Sequence, residues 1–106
     1  MPEPRIVIVQ TALGNADGAA ALAGEIVERG LAACVQRLPV QSTYRWKGAV
    51  ESANEVLLMA KTAAGRADEL VSFIRERHPY ELPEILVTPV EGGLDAYLCW
   101  VAEENR

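Results

Sequence analysis

Cysteine and histidine are scarce in this chain of 106 residues: Cys34 and Cys99 are the only thiols and His78 the only imidazole. Two cysteines so far apart make neither a disulfide framework nor a CxxC site. Reduced thiols are expected, and with them a cytoplasmic setting. Their apolar surroundings point to buried, inert side chains. A single histidine is little for a closed metal site, which usually needs three or four ligands. Long hydrophobic runs are missing too, since none approaches the ~20 residues of a membrane span. Met1–Arg5 leads straight into a strand-like run, so no signal peptide is expected. Basic excess is also absent. Ten Lys and Arg are scattered among fifteen Asp and Glu, for a net charge of −5, which argues against a nucleic-acid partner. There is no Ser-His-Asp order, no metalloprotease motif and no phosphate-binding glycine loop, because Gly14–Gly18 lacks the lysine and spacing.

The chain is long enough for one domain, residues 1–106, and not for two. At this size roughly 60–65% of the unfolded surface is buried on folding. The core is therefore modest, and contacts with other subunits would add to it.

Hydrophobic periodicity gives the order of elements. Four consecutive β-branched residues, Ile6 to Val9, within Arg5–Thr11 suit a strand buried on both faces. Asn15 or Asp17 can cap the helix that follows, whose Leu22, Ala23, Ile26 and Val27 recur at helical spacing. Gly30 fits the left-handed position after it, with Leu31 folding back on Ile26. Ala33–Trp46 is a long extended segment in which Pro39 requires a bend, a bulge or a sheet edge. Beyond Pro39, Val40, Ser42, Tyr44 and Trp46 share one face. Lys47-Gly48 reads as a turn and Glu55–Lys61 as a returning strand, together a long hairpin. Ala67, Leu70, Val71 and Ile74 mark a second helix, which Pro79 ends at His78. Glu84–Val90 is a last strand, and Leu94, Tyr97, Leu98 and Val101 a short terminal helix. The order β-α-β-β-α-β plus a helix is the ferredoxin-like α+β arrangement. Both helices then lie on one face of an antiparallel sheet. The other face needs cover from a second subunit, and the free part of the hairpin can pair with a neighbour.

Three stretches line up in order and spacing. They are Ala33-Cys34-Val35 with Ser42-Thr43-Tyr44-Arg45-Trp46-Lys47-Gly48; Glu51 and Glu55 with Lys61-Thr62; and His78-Pro79-Tyr80-Glu81-Leu82-Pro83-Glu84-Ile85 with Pro89-Val90, Gly93, Tyr97-Leu98 and Trp100-Val101. Over roughly Ile6 to Ala102 the sequence resembles the CutA family, the divalent-cation-tolerance proteins, and the HPYxxPEI string with its downstream YLxWV is the specific part. The resemblance implies a ferredoxin-like fold, a compact homotrimer and an architecture akin to the trimeric PII signalling proteins. It implies tolerance of divalent metals, notably copper, and metal binding, with no firm catalytic activity. Some members carry a metal-linked cysteine at the end of the first strand. Gln10 stands at that place here, which leaves His78 as the ligand candidate carried over.

The side chains themselves permit more than one role. A neutral imidazole at His78 suits copper or zinc, with oxygens from Glu81 and Glu84; equally, His78 can close the second helix and bond locally. Two prolines stiffen Tyr80–Glu84, and such a loop can present Tyr80 and Glu84 at a subunit cleft or merely steer the chain. Lys61 is a further cleft candidate. Tyr44 and Trp46 on one strand face are expected in an interface, and Trp100 is expected to pack the terminal helix on the sheet or across the trimer. Glu51 and Glu55, on one strand face about 13 Å apart, are too distant for paired acid-base work on one bond, and salt bridges at subunit edges are expected of them. The leading expectation is a non-enzymatic trimer that binds a divalent cation at intersubunit clefts. The alternative is a PII-like signalling or adaptor trimer that takes an organic ligand or a protein partner.

Overall fold

A computed structural model describes residues 4–105. Met1–Glu3, which open the segment read as having no leader, and Arg106 lie outside the described residues. The elements are β1 (Ile6–Leu13), α1 (Ala16–Glu28), β2 (Cys34–Trp46), β3 (Ala49–Ala63), α2 (Ala67–Arg77), β4 (Ile85–Pro89) and α3 (Asp95–Glu104), with a 3-10 turn at Ala64–Arg66 before α2. The strands form one sheet in the order β2-β3-β1-β4, with every neighbouring pair antiparallel. This is the ferredoxin-like order expected from the sequence.

The local signals act where they were read. Asn15 Oδ1 accepts from the backbone N–H of Gly18 at 2.9 Å and so caps α1. Gly30 adopts φ 69°. The N–H of Gly30 donates to Val27 O and that of Leu31 to Ile26 O, both at 3.0 Å. This pair of bonds satisfies the last carbonyls of the helix and turns the chain toward β2. Lys47 and Gly48 both have positive φ, 50° and 83°. That combination gives the two-residue type I′ turn whose twist matches the flanking strands.

The hairpin is longer than the apolar run from Glu55 indicated. β2 and β3 pair without a break from Cys34↔Lys61 to Trp46↔Ala49. Residues 49–54 have no apolar pattern of their own, and the cross-strand ladder carries them. Pro39 faces Val56 within this unbroken register. Because β2 lies at the sheet edge, the missing proline N–H faces outward and no ladder bond is displaced. The hairpin extends the molecule to 50 × 25 × 21 Å.

Side chains alternate between the two sheet faces. Val7, Val9 and Leu13 of β1 with Leu58 and Ala60 of β3 pack under α1 and α2, against Leu22, Ile26, Leu70, Phe73 and Ile74. The opposite face carries Ile8, Leu38, Leu57, Met59 and Leu86. Only its end is covered, where Leu98 and Val101 of α3 pack on Ile6. Leu38 and Leu86 remain 53% and 54% exposed.

The thiols differ from expectation. Cys34 is half-buried and Cys99 is exposed. The inward face of α3 is set by Leu98 and Val101, and Cys99 lies about 100° round the helix from Leu98.

Asn105, which gave no sequence signal, anchors the C-terminal end. Its Oδ1 accepts from the Ala63 N–H at 2.5 Å, and its Nδ2 donates to Gly30 O at 2.8 Å. The Thr62 hydroxyl sits between Asn105 Oδ1 and Leu31 O, at 2.6 and 2.7 Å. One buried amide thus ties α3 to β3 and to the end of α1. Asn105→Ala strands the Ala63 N–H and the Gly30 carbonyl, and an unsatisfied buried group costs about 1–3 kcal/mol. The urea midpoint is expected to fall accordingly at fixed protein concentration, and an unchanged midpoint would contradict this anchoring.

Candidate functional site

The segment from His78 to Glu84 crosses from α2 to β4 beside the end of β1 and the root of the hairpin. His78 caps α2 in an extended conformation, and its N–H closes the last turn on Ile74 O at 2.9 Å. The imidazole is buried, 8% exposed. Its Nδ1 accepts from the backbone N–H of Tyr80 at 3.1 Å, and its Nε2 lies 2.9 Å from Ala12 O. Nδ1 must then be bare and Nε2 must carry the proton. Both nitrogens are engaged, one in shaping the loop and the other in fastening it to β1. To ligate a cation, His78 would have to release one of these bonds.

Tyr80 is the second fastening. Its hydroxyl donates to Glu55 Oε2 at 2.8 Å, and its ring meets the His78 ring edge-on, with centroids 4.8 Å apart and planes at 62°. A Cβ added at Gly14 would come within 3.2 Å of the tyrosine oxygen, so the glycine leaves room for it. A third tie joins the loop to the open sheet face, where Gln10 Nε2 donates to Glu84 Oε2 at 2.8 Å. Gln10 thus orients one of the candidate carboxylates.

The loop and the hairpin face each other across an open cleft of about 720 Å³. Tyr44, Trp46, Tyr80, Glu55, Glu81 and Glu84 are among its walls, and no lysine or arginine lines it among the described residues. Its potential is therefore negative. Glu81 has no hydrogen-bond or ion-pair partner among the described residues.

The structure brings together Tyr80, Glu81 and Glu84 with the expected interface pair Tyr44 and Trp46. His78 braces this cleft from behind. Lys61 is not part of it. It stands six residues along β3 from Glu55, roughly 20 Å away, where its Nζ bonds Gln36 Oε1 beside Cys34. Trp100 is 40% exposed on α3 and lies beside Tyr97 with ring centroids 5.6 Å apart, so within the protomer it does not seat the helix on the sheet. Glu55 accepts from Tyr80 where a salt bridge was expected; its partner lies 25 residues away and no local pattern announces it. Among the described residues no three His, Cys, Asp or Glu side chains converge as a metal cluster.

The family model described as CutA1 divalent ion tolerance protein matches residues 7–104. The chain belongs to the CutA1 divalent ion tolerance family. It is 40% identical over 102 residues to the divalent-cation tolerance protein CutA of Pectobacterium atrosepticum, covering 95% of this chain and 92% of that protein. It is 46% identical over 81 residues to Protein CutA of Mus musculus, covering 76% of this chain and 46% of that one. The chain spans about half the length of such animal and plant relatives. Its fold matches the PII-like protein CutA from Nostoc sp. PCC 7120 in apo form, at TM-score 0.89 and 38% identity over 94% of this chain and 97% of that one. The CutA1 fold expected from the HPYELPEI and YLCWV strings is the one found. Among the described residues no helix is long and apolar enough to cross a membrane.

Burial and the Glu55 carboxylate push the Tyr80 hydroxyl up to about 12 from its ordinary 10.0. The sign follows from the protonated form being the bonded one. Stabilisation from Tyr80–Glu55 is fully present below about pH 10 and is lost as the pH rises toward 12. An ultraviolet absorbance titration is expected to show a late-ionising tyrosine that disappears in Tyr80→Phe; a Tyr80 that ionises with free tyrosine would contradict the pairing.

Proposed function

We propose that this chain acts as a homotrimer without catalytic activity, located in the cytoplasm, that takes up a divalent cation of the copper class weakly at clefts between subunits. The observation that carries the reading is the uncovered sheet face. Leu38, Leu57, Met59 and Leu86 form an apolar surface on one side of a small sheet whose other side is already filled. Exposed apolar area of this kind marks a protein interface, and roughly 25 cal/mol is gained per Å² buried. Tyr44 and Trp46 extend the same face along the hairpin and supply the aromatic anchors that interfaces favour. Trp100 supplies a third at α3. The family's divalent ion tolerance and the two unpaired thiols are consistent with the cation and the compartment.

Among the described residues, the donors of one protomer do not make a closed metal site. In this reading Glu81 and Glu84 offer carboxylate oxygens, and His78 offers a nitrogen only after the Tyr80 N–H swings away from Nδ1. The remaining ligands come from a neighbouring subunit or from water, which fits weak and exchangeable binding rather than a resident cofactor. The cleft is acidic, which raises the local concentration of cations at its mouth.

Sedimentation equilibrium at micromolar concentration is expected to give three times the chain mass, and a monomer would overturn the assembly. Copper titration of the metal-free protein tests the site. Replacing both carboxylates, Glu81→Gln with Glu84→Gln, is expected to weaken uptake about tenfold. Unchanged uptake in that variant and in His78→Ala would remove the cleft from the reading.

A further inference from the structure

Along β3, Glu51, Glu55, Leu57, Met59 and Lys61 point to the open sheet face that also carries Leu38. Glu55 is taken by Tyr80. The other two charges stand at opposite ends of the strand. Glu51 is exposed on the hairpin arm and has no hydrogen-bond or ion-pair partner among the described residues. Lys61 stands at the root of the hairpin, where its Nζ meets the neutral Gln36 Oε1. Ten positions of extended strand, roughly 33 Å, hold the two apart within one chain. We infer that Glu51 of one subunit forms an ion pair with Lys61 of the partner subunit, so that the arm of each copy seats on the root of the next. The inference rests on the trimer proposed above and states how its subunits meet.

Three features carry this inference. The first is the cost of covering Lys61. It lies on the face whose apolar residues favour assembly, directly opposite Ile8 on one side and Cys34 on the other. An ammonium taken out of water with a neutral amide alone is unfavourable, and a buried charge is retained only against an opposite charge. No carboxylate of its own chain reaches it among the described residues. Second, the two ends match in more than charge. On the arm, Tyr44 stands directly opposite Glu51 in the ladder. At the root, Tyr97 of α3 lies beside Cys34, the residue directly opposite Lys61. Each end thus presents a tyrosine near its charge, and these two are 44% and 41% exposed in the protomer. One contact covers both. Third, residues 43–52 are exposed along the whole arm, so no part of their own chain covers them.

Arm and root are different surfaces, so the contact runs head to tail and each copy uses both ends once. Contacts of this kind close into a ring when the rotation between copies allows it. A ring of three leaves no arm unseated and no Lys61 without a carboxylate. Tyr44 also lines the cleft of the protomer, so the same contact covers one wall of that cavity and turns it into a cleft between subunits.

Zero-length carbodiimide coupling of the full chain, followed by peptide mass spectrometry, tests the pair, because it joins a carboxylate to an amine already in contact with it. An amide between Glu51 and Lys61 is expected, with products of two and three chain masses on a denaturing gel. The roughly 33 Å between these residues in one chain makes that link intersubunit. Glu51→Gln and Lys61→Arg are each expected to abolish it. Charge reversal is read by sedimentation at a urea concentration that half-dissociates the parent. Glu51→Lys or Lys61→Glu alone is expected to raise the dissociation constant about tenfold or more, since like charges then meet. The two reversals combined are expected to recover most of the loss. Glu28→Lys, which makes the same change of charge at an exposed position of α1, is expected to leave assembly unchanged. A trimer in which Lys61 couples to another carboxylate or to none overturns the pairing and leaves the trimer standing. Equal weakening by Glu28→Lys, or a combined variant no better than the single ones, overturns it in the same way. A parent protein that sediments as a monomer or a dimer sinks the trimer itself.

Discussion

The central strand β1 is apolar on both of its faces, and the rest of the molecule is arranged around that fact. Val7, Val9 and Leu13 require helices above them, and α1 and α2 supply the cover. Ile6 and Ile8 point the other way, where only α3 arrives and reaches only Ile6. A strand of this kind, flanked by β3 and β4, makes a sheet with one finished face and one unfinished face. The cost of leaving the second face in water grows with each apolar residue that β3, β2 and β4 add to it. Association is the simplest way to lower that cost for a core this small.

The loop from His78 to Glu84 is held by three polar fastenings, and they divide the work. His78 fixes the loop to the β1 carbonyl and to its own backbone. Tyr80 fixes it to the hairpin through Glu55, and Gln10 fixes its end through Glu84. These attachments involve strands that are distant in sequence, so the cleft has rigid walls from separate parts of the fold. Function is often carried by loops held firmly on such scaffolds. The histidine contributes more as a brace than as an exposed ligand, because a neutral imidazole with one donor and one acceptor already has both positions filled.

What the sequence made legible follows from the range of the interaction. The α1 cap at Asn15, the Gly30 ending, the Lys47-Gly48 turn and the order of elements are set within a few residues, and each was readable. That order already implied the ferredoxin-like topology, and the resemblance carried by HPYELPEI implied the same fold. The full length of β3 was not readable, since residues 49–54 are strand only because β2 lies beside them. Asn105 was missed because its partners, Thr62, Ala63 and Gly30, are brought near only by the finished fold. The Tyr80–Glu55 pair was missed for the same reason. Lys61 does not line the cavity of the protomer, because six positions of extended strand separate it from Glu55. The cysteines misled through apolar neighbours in sequence that do not surround them in space.

Pro39 has one more effect, on the outer margin of the sheet. That margin of β2 is a row of backbone donors and acceptors, open to any strand that comes alongside. At Pro39 the row lacks a donor, so it falls into two short segments, one toward Cys34 and one toward Trp46. A visiting strand can zip along either segment but cannot run through the gap. The arm can thus accept a neighbour of limited length, yet is a poor template for the endless stacking that a flat edge of thirteen residues would otherwise invite.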